Sequence, residues 1–382
     1  MQRLYTCLLS LSLAIGACLV GLVLFELSLR LFHPQIIEIH PNGMWQLSDT
    51  RGYQLTPGFD GEHIFIDFKV RITINEQGYR DRVYGPKQPG VFRILTIGDS
   101  FTFGFGVQNQ EVFSKVLEAR LHTRPAQTTF EVINGGASGY STHQELIFLK
   151  EVGLNLEPDL VLVGLYPHND LKDNQKPIDR FEIAYGFLYD QQGYGMVRQA
   201  EKTGLPIPMK GFLWAYSHSY RFLADRYHKL KFQWTFTPSA EVEHSDESII
   251  EKGSDPLDQK KSLPREDLEE PYVVDKKTSG LFREIAEITR RQGGEAVMLL
   301  IPDIKQVANP EPMWKPQWDQ LKEMAALNNM PVIDLMPVFS EAARAGQTPE
   351  LWYLVNKHWK QTGHRLAAET IYTSLLNQQL IP

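Results

Sequence analysis

The chain has 382 residues, of which 42% are hydrophobic and 22% charged, so one main domain with additions is expected. A net charge of −7, a pI near 5.9 and the lack of any Lys/Arg-rich run argue against a nucleic-acid partner, which usually meets a concentrated basic patch. Both cysteines, Cys7 and Cys18, lie in the N-terminal apolar segment, so the rest of the chain has neither a disulfide framework nor a thiolate metal site.

The N-terminal residues 1–33 predict a membrane anchor. From Leu4 to Phe25 no residue is charged, and about 20 apolar residues suffice to cross a bilayer as a helix. This run is longer than the roughly 7–15 residues at the core of a cleavable signal, and no small-x-small cleavage site follows it. We therefore predict an uncleaved single-pass anchor.

Two alternatives to the anchor stay open. The sequence Ile15-Gly16-Ala17-Cys18 fits a lipoprotein cleavage site with an acylated Cys18, although apolar residues continue beyond it. A buried core helix is the second alternative, and the charges of Glu26 and Arg30 would suit such a helix.

Residues 34–90 predict a small β-rich lead-in. The alternating stretches 63–68 and 70–74 are typical of strands, and Gly78-Tyr79-Arg80-Asp81 is typical of a turn.

A different pattern begins at residue 91 and extends to residue 382. Short apolar runs rich in β-branched residues predict strands buried on both faces of a parallel sheet; they lie at 93–97, 130–133, 160–163, 296–301 and 331–335. Amphipathic helices are predicted between them and at the C-terminus, including 281–288 and 367–375. Alternation of strands and helices predicts an α/β fold with a central parallel sheet of about five strands.

The interval from about 175 to 276 interrupts this alternation and is predicted to be an insertion or cap. Residues 211–235 are aromatic-rich and predicted to be helical, with packing inside the cap as their simplest role. Residues 241–271 are acidic and poor in apolar side chains, which favours a solvated, partly disordered loop.

Candidate catalytic residues follow the predicted strands. Ser100 directly follows the first strand of the sheet, where catalytic groups of open α/β sheets gather; its alternative role is a helix N-cap. The glycine-rich stretch 134–140 follows the second strand and offers backbone N–H donors, and Asn169 follows the third and offers a neutral amide donor to an oxyanion. His358, before the last helix, is a candidate base for the Ser100 proton.

These four blocks, in this order, resemble the SGNH (GDSL) hydrolase family, and the anchor and the lead-in resemble its bacterial membrane-anchored branch. The resemblance implies a three-layer, flavodoxin-like fold with Ser100 as nucleophile and His358 as general base. It implies that the backbone N–H groups of Ser100 and Gly139 and the side-chain amide of Asn169 hold the oxyanion. No metal or organic cofactor is implied. Since charge asymmetry across the anchor is weak, the orientation in the bacterial inner membrane, with the body facing the periplasm or the outside, depends partly on this resemblance.

One position departs from the family pattern. The family usually has Asp two or three residues before the histidine, whereas this chain has Asn356 and Val355. An Asn can orient an imidazole but cannot stabilise its protonated form by charge. Three readings stay open: a Ser–His dyad oriented by Asn356, a substitute acid such as Asp170 or Glu350, or a weakened enzyme. Asp99 is predicted to brace the turn, His364 to be a packing residue at the start of the last helix, and His168 to line the site or contact the cap.

The predicted activity is serine-dependent hydrolysis of an ester, with an O-acylated or O-acetylated envelope glycan or a small ester as substrate. An O-acetyltransferase of polysaccharide modification is an alternative. A glycan-binding or scaffold protein without catalysis is another, and the missing Asp is the feature in its favour.

Overall fold

The computed structural model describes residues 2–34, 41–65, 67–124, 128–184, 187–190, 217–223, 226–227, 230, 274–308, 314–353 and 356–382. The strands are β1 (Trp45–Ser48), β2 (Gly52–Leu55), β3 (Asp60–Phe65), β4 (Phe68–Thr73), β5 (Val91–Ile97), β6 (Thr129–Asn134), β7 (Leu160–Leu165), β8 (Phe181–Ala184), β9 (Phe187–Asp190), β10 (Glu295–Leu300) and β11 (Val332–Asp334). The helices are α1 (Gln2–Phe32), α2 (Ser100–Phe103), α3 (Phe113–His122), α4 (Thr142–Glu151), α5 (Pro167–Asp173), α6 (Lys276–Arg291), α7 (Ile304–Ala308), α8 (Lys315–Leu327), α9 (Met336–Arg344), α10 (Thr348–Leu351) and α11 (Gln361–Asn377).

The central sheet has five strands in the order β6-β5-β7-β10-β11, and every neighbouring pair is parallel. This is the order of flavodoxin-like sheets, in which the first strand of the domain lies between the second and the third. The predicted fold class is confirmed, and each of the five strands overlaps one of the predicted apolar runs.

Helices cover both faces of the sheet and make it a three-layer sandwich. Successive strand residues point to opposite faces, so Leu95 belongs to the core under α4, α6 and α8, and Ile94 to the core under α3, α9 and α11. All five strands are therefore apolar on both faces, which explains why their sequences are continuous apolar runs rather than alternating ones.

The lead-in consists of two antiparallel hairpins, β1–β2 and β3–β4. The predicted strands 63–68 and 70–74 are both present but displaced: the hairpin strands are Asp60–Phe65 and Phe68–Thr73, and Asp67 lies in the turn between them. The first hairpin was not predicted, because its four-residue strands are too short to establish a pattern. Both hairpins contribute to the core on one face of the sheet, through side chains such as Tyr53 and Ile72.

The interval 175–276 contains a hairpin, β8–β9, that sequence analysis did not predict. Of the aromatic-rich stretch 211–235, residues 217–223, 226–227 and 230 are described, and residues 218–223 are helical. The predicted acidic loop 241–271 lies outside the described residues.

The N-terminal helix α1 is 31 residues long, and its described large apolar side chains are mostly exposed, for example those of Leu13 and Leu22. Its part Leu9–Phe32 has a mean hydropathy of 2.1, which is apolar and long enough to cross a membrane, and none of its most apolar window is buried. A core helix would instead have most of this window buried.

Candidate active site

The candidate residues converge at the carboxyl edge of the sheet. Ser100 follows β5, the central of three adjacent strands. Gly139 follows β6 on one side, and Asn169 lies in the first turn of the helix that follows β7 on the other. Because parallel strands all end at the same edge, loops that are far apart in sequence meet there. His358 reaches this edge from the segment before α11.

The turn that carries Ser100 is held by its neighbours. Asp99 is the N-cap of α2, and its carboxylate accepts a hydrogen bond of 2.9 Å from the Phe101 N–H. Asp99 thus braces the turn, and Ser100 is not the N-cap that its alternative role required. Gly98 is needed at the start of the turn because a Cβ there would lie 2.1 Å from the Thr102 hydroxyl oxygen.

Ser100 and His358 form a hydrogen-bonded pair across 258 residues of sequence, with 2.8 Å between Ser100 Oγ and His358 Nε2. On the other side of the ring, Nδ1 lies 3.1 Å from the Asn356 carbonyl oxygen and 3.2 Å from Asn356 Oδ1. Both of these atoms can only accept, so Nδ1 carries the proton and Nε2 is left to accept one. Asn356 thereby fixes the tautomer that a general base requires.

The His358 imidazole is enclosed by aromatic rings. The ring centroids of Phe101 and Phe105 lie 5.1 Å and 4.5 Å from that of His358. Desolvation lowers the pKa of His358 to about 4, and the hydrogen bond to the Asn356 carbonyl opposes this shift. At neutral pH the imidazole is therefore uncharged and able to take a proton.

The SGNH family, which this chain resembles, usually has an Asp two or three residues before the histidine. Among the described residues, no carboxylate takes the place of that Asp at the His358 ring. Asp170 is buried and accepts a hydrogen bond of 2.7 Å from the Tyr166 N–H, and Glu350 is exposed. Asn356 is the residue that contacts His358 Nδ1, and the Ser–His dyad oriented by Asn356 stays a prediction. A carboxylate that does contact this segment is that of Asp67, from the turn of the β3–β4 hairpin, whose Oδ2 accepts from the Asn356 N–H at 3.2 Å. Nothing in the sequence marks Asp67 as a residue near the candidate site.

Asn169 lies in the first turn of α5, directly beside the nucleophile turn. Pro167 opens the helix, and the Asp170 carboxylate reaches back to the Tyr166 N–H, as acidic residues in a first helical turn often do. The side-chain Nδ2 of Asn169 donates to Asp99 Oδ2 at 3.2 Å. Burial raises the pKa of Asp99 to about 6, and the hydrogen bonds from Phe101 and Asn169 oppose that rise.

The backbone N–H groups of Ser100 and Gly139 are among those at this edge that have no acceptor in the described part of the chain. Gly139 has a φ of +81°, a conformation that favours glycine. The loop is fixed from the lead-in by Tyr53, whose hydroxyl donates to the Ser138 carbonyl at 2.9 Å. Ser100 and Gly139 therefore offer backbone N–H groups and Asn169 a side-chain amide, which are the kinds of donor that form oxyanion holes.

Gly139→Ala is expected to lower kcat for ester hydrolysis by about 10²-fold, the usual cost of a lost oxyanion donor. A Cβ at this position would lie 2.8 Å from the Tyr53 hydroxyl oxygen and would displace the loop. Gly293→Ala is the matched control, because Gly293 has a similar φ of +83° but nothing within 4 Å of its added Cβ. Equal loss of kcat in both variants would contradict a role for Gly139 in the reaction.

The two other histidines considered in the sequence, His364 and His168, lie apart from the Ser100–His358 hydrogen bond. His364 is buried in α11, where its Nδ1 accepts from the Phe113 N–H at 3.3 Å, and it is a packing residue as expected. His168 stays a predicted site-lining residue, with its ring 5.6 Å from that of Tyr166. Among the described residues no group of three or more His, Cys, Asp or Glu side chains is arranged to hold a metal ion.

Several solved structures are distantly similar to this chain. Neither a family model nor a curated protein matches the sequence. Matching structures include an acetyl xylan esterase (13% identity, covering 74% of this chain and 100% of that one, TM-score 0.37). A second is a member of the lipolytic protein G-D-S-L family from Veillonella parvula, at 14% identity, covering 74% of this chain and 97% of that one, with a TM-score of 0.38. A third is a lipase/acylhydrolase from Enterococcus faecalis, at 15% identity, covering 75% of this chain and 96% of that one, with a TM-score of 0.38. A likeness at this level concerns the fold alone, and the chemistry has to be argued from the residues of this chain.

Proposed function

We propose that this protein is a serine ester hydrolase of the SGNH type, with Ser100 as nucleophile and His358 as general base. The observation that carries this proposal is the 2.8 Å hydrogen bond from Ser100 Oγ to His358 Nε2, with Nδ1 held by Asn356. A nucleophile, a base in hydrogen-bond reach and a third group that orients the base are the recognised signature of nucleophilic catalysis.

The reaction has two steps. In the first, Ser100 Oγ attacks the ester carbonyl carbon and gives its proton to His358 Nε2. The negative oxygen of the tetrahedral intermediate is held by the N–H groups of Ser100 and Gly139 and by the Asn169 amide. The intermediate then expels the alcohol, which takes the proton from His358, and an acyl-Ser100 remains. In the second step, the oxygen of a water molecule attacks the acyl carbon and a water proton passes to His358 Nε2. The bond from the acyl carbon to Ser100 Oγ then breaks, Ser100 Oγ takes the proton back from His358, and the acid leaves.

The substrate class proposed is an O-acylated, chiefly O-acetylated, envelope glycan or a small ester. It rests on the resemblance to the membrane-anchored branch. If a sugar hydroxyl replaces water in the second step, the same site is an O-acetyltransferase. Nothing in this mechanism calls for a metal or an organic cofactor.

The test of the proposed function uses the full chain in detergent with p-nitrophenyl acetate and a fluorophosphonate probe. Turnover of the ester and covalent labelling at Ser100 are the expected results. Wild-type protein that neither turns over the ester nor labels would overturn the catalytic proposal and would favour the binding or scaffold alternative.

We further propose that α1 stays on the mature protein as a membrane anchor, with the body facing the periplasm or the outside. Support comes from Glu26, near the end of α1, whose carboxylate accepts from the His218 and Ser219 N–H groups at 3.0 Å and 2.8 Å and from the Ser217 hydroxyl at 3.1 Å. The ring of Phe222 also packs against Phe25, with centroids 5.8 Å apart. Cleavage of α1 as a signal would remove these contacts from the folded body.

Intact-mass analysis of the protein from the membrane fraction tests the anchor. The expected mass is that of the whole chain, and carbonate washing is expected to leave it in the membrane. A mature N-terminus beyond Glu26 would show a cleaved signal. A start at Cys18 with a lipid-sized mass increment would show the lipoprotein alternative, which retains Glu26.

A further inference from the structure

Arg80 is a buried arginine whose partners are backbone carbonyls rather than carboxylates. Its side chain is fully buried, with 0% exposure. One guanidinium nitrogen donates to the carbonyls of Phe103 and Gly104 at 3.1 Å and 2.7 Å, and the other donates to the Val107 carbonyl at 2.7 Å. Within the described part of the chain it forms no ion pair, although the Glu111 carboxylate acts on it electrostatically. A buried cation without a salt bridge is costly, so its hydrogen bonds call for an explanation.

The carbonyls that Arg80 binds lie at the end of the helical turn that begins with Ser100. This helix, α2, has only four residues, too few to be stable without outside support. Its last carbonyls have no partners inside the helix, and a positive charge at that end is favourable. The guanidinium satisfies these groups and fixes the segment 103–107, which includes Phe105, whose ring lies 4.5 Å from that of His358.

The adjacent Asp81 contacts the start of the glycine-rich loop that contains Gly139. Its Oδ2 accepts from the Asn134 N–H at 2.9 Å, at the point where β6 ends and the glycine-rich loop begins. Asn134 in turn accepts from the Gly136 N–H at 3.1 Å through Oδ1 and donates to the Phe103 carbonyl at 3.4 Å. Two consecutive residues of the lead-in are therefore bonded to the nucleophile turn and to the start of the oxyanion loop.

We propose that Arg80 is a positioning residue of the esterase site, which holds the Ser100 turn at a fixed distance from the Gly139 loop together with Asp81. This inference rests on the proposed function. The lead-in then serves the reaction, because its two residues support both loops in addition to the direct hydrogen bond from the Ala137 N–H to the Gly98 carbonyl at 3.0 Å.

The chain supplies a matched control in Arg93. It is buried to a similar degree, with 2% exposure, and also donates to backbone carbonyls, those of Leu156 and Gly85. Arg93 additionally pairs with Glu131 and lies in β5, in a part of the strand far from the turn that carries Ser100. Loss of Arg93 therefore removes comparable buried hydrogen bonds without touching the nucleophile turn.

The experiment compares Arg80→Met, Arg80→Lys and Arg93→Met by the kcat and KM for p-nitrophenyl acetate per folded molecule. Misplacement of reacting groups by about 1 Å costs about 10²-fold in rate. We expect a loss of this size in kcat for Arg80→Met, with KM changed far less, partial recovery in Arg80→Lys, and near wild-type kcat in Arg93→Met. Equal losses in Arg80→Met and Arg93→Met, or full kcat in folded Arg80→Met, would overturn the proposal.

Hydrogen exchange gives a readout that does not depend on turnover. The peptide covering residues 100–107 is expected to lose protection in Arg80→Met and to keep it in Arg93→Met. If Arg80→Met does not fold, the same comparison is made with Arg80→Lys. Unchanged protection in the Arg80 variants would overturn the proposal that Arg80 holds the Ser100 turn, whether or not the protein is active. An inactive wild type with the expected exchange pattern would instead overturn the proposed ester hydrolysis, and with it the effect of Arg80 on the reaction, but not its hold on the turn.

Discussion

Replacement of Ser100 by Ala is expected to abolish covalent labelling and to lower kcat for ester hydrolysis by about 10⁴-fold or more, since loss of a serine nucleophile leaves only oxyanion stabilisation and binding. The Ser100 hydroxyl lies 2.8 Å from His358 Nε2, so its removal takes away the group whose proton the base accepts. His358→Ala is expected to cost about as much, because the two residues act as a unit. The double variant should therefore be no worse than either single variant.

Ser114→Ala is the control for Ser100→Ala. Ser114 is buried in α3, and its hydroxyl has no hydrogen-bond partner among the described residues, so its removal should leave both folding and turnover near wild type. Labelling and turnover that persist in Ser100→Ala would contradict the nucleophile assignment, and the labelled residue would then be located by peptide mass mapping.

The central sheet could be predicted because the sequence of apolar and polar side chains shows which strands are buried. The five sheet strands are apolar on both faces and stand out as continuous runs, and their order in the chain places the segments after β5, β6 and β7 at one edge. Ser100, the glycine-rich stretch 134–140 and Asn169 could therefore be predicted to lie together, whereas the choice of Gly139 within that stretch came from the family resemblance. His358 was assigned through the family resemblance, because nothing in a sequence shows that residues 258 positions apart will meet.

The parts that were not predictable depend on backbone groups and on contacts between distant loops. Gly78-Tyr79-Arg80-Asp81 was recognised as a turn, but the acceptors of Arg80 are carbonyls, which every residue carries and no pattern marks. Asp67 meets the Asn356 N–H across 289 residues, from a hairpin whose predicted boundaries were displaced. The short hairpins β1–β2 and β8–β9 have too few residues for a period to emerge.

The rate of the wild-type enzyme is expected to rise with pH through about 4, the pKa of His358, and then to stay level toward neutral pH. The sign follows from the mechanism, since only the uncharged imidazole can accept the Ser100 proton. The family pattern places a carboxylate near this histidine, and an opposite charge within about 4–6 Å raises the pKa of an imidazole by about 1–3 units. The uncharged Asn356 leaves desolvation as the dominant effect, which makes His358 a weak base.

Asn356→Asp is therefore expected to move the acid limb of the pH–rate profile upward by about 1–3 units and to raise kcat at neutral pH by about 10- to 100-fold. The carboxylate can keep the contacts that Asn356 Oδ1 now makes with the His358 N–H at 2.9 Å and with Nδ1 at 3.2 Å. No hydrogen bond is given up, because Asn356 Nδ2 has no acceptor in the described part of the chain. The gain is smaller than the roughly 10⁴-fold associated with the Asp of a trypsin-like triad, because part of that figure reflects a wrong tautomer, which the carbonyl groups of Asn356 already prevent.

Asp67 is the neighbour that can reduce this gain, since its carboxylate lies 3.2 Å from the Asn356 N–H and would repel a second negative charge beside it. The double variant Asp67→Asn/Asn356→Asp should therefore be faster than Asn356→Asp alone, whereas Asp67→Asn by itself should leave the acid limb near its wild-type position. An acid limb that does not move in either variant carrying Asn356→Asp would show that the Asn356 side chain does not control the His358 imidazole. The orienting role would then belong to the Asn356 backbone carbonyl alone, 3.1 Å from Nδ1.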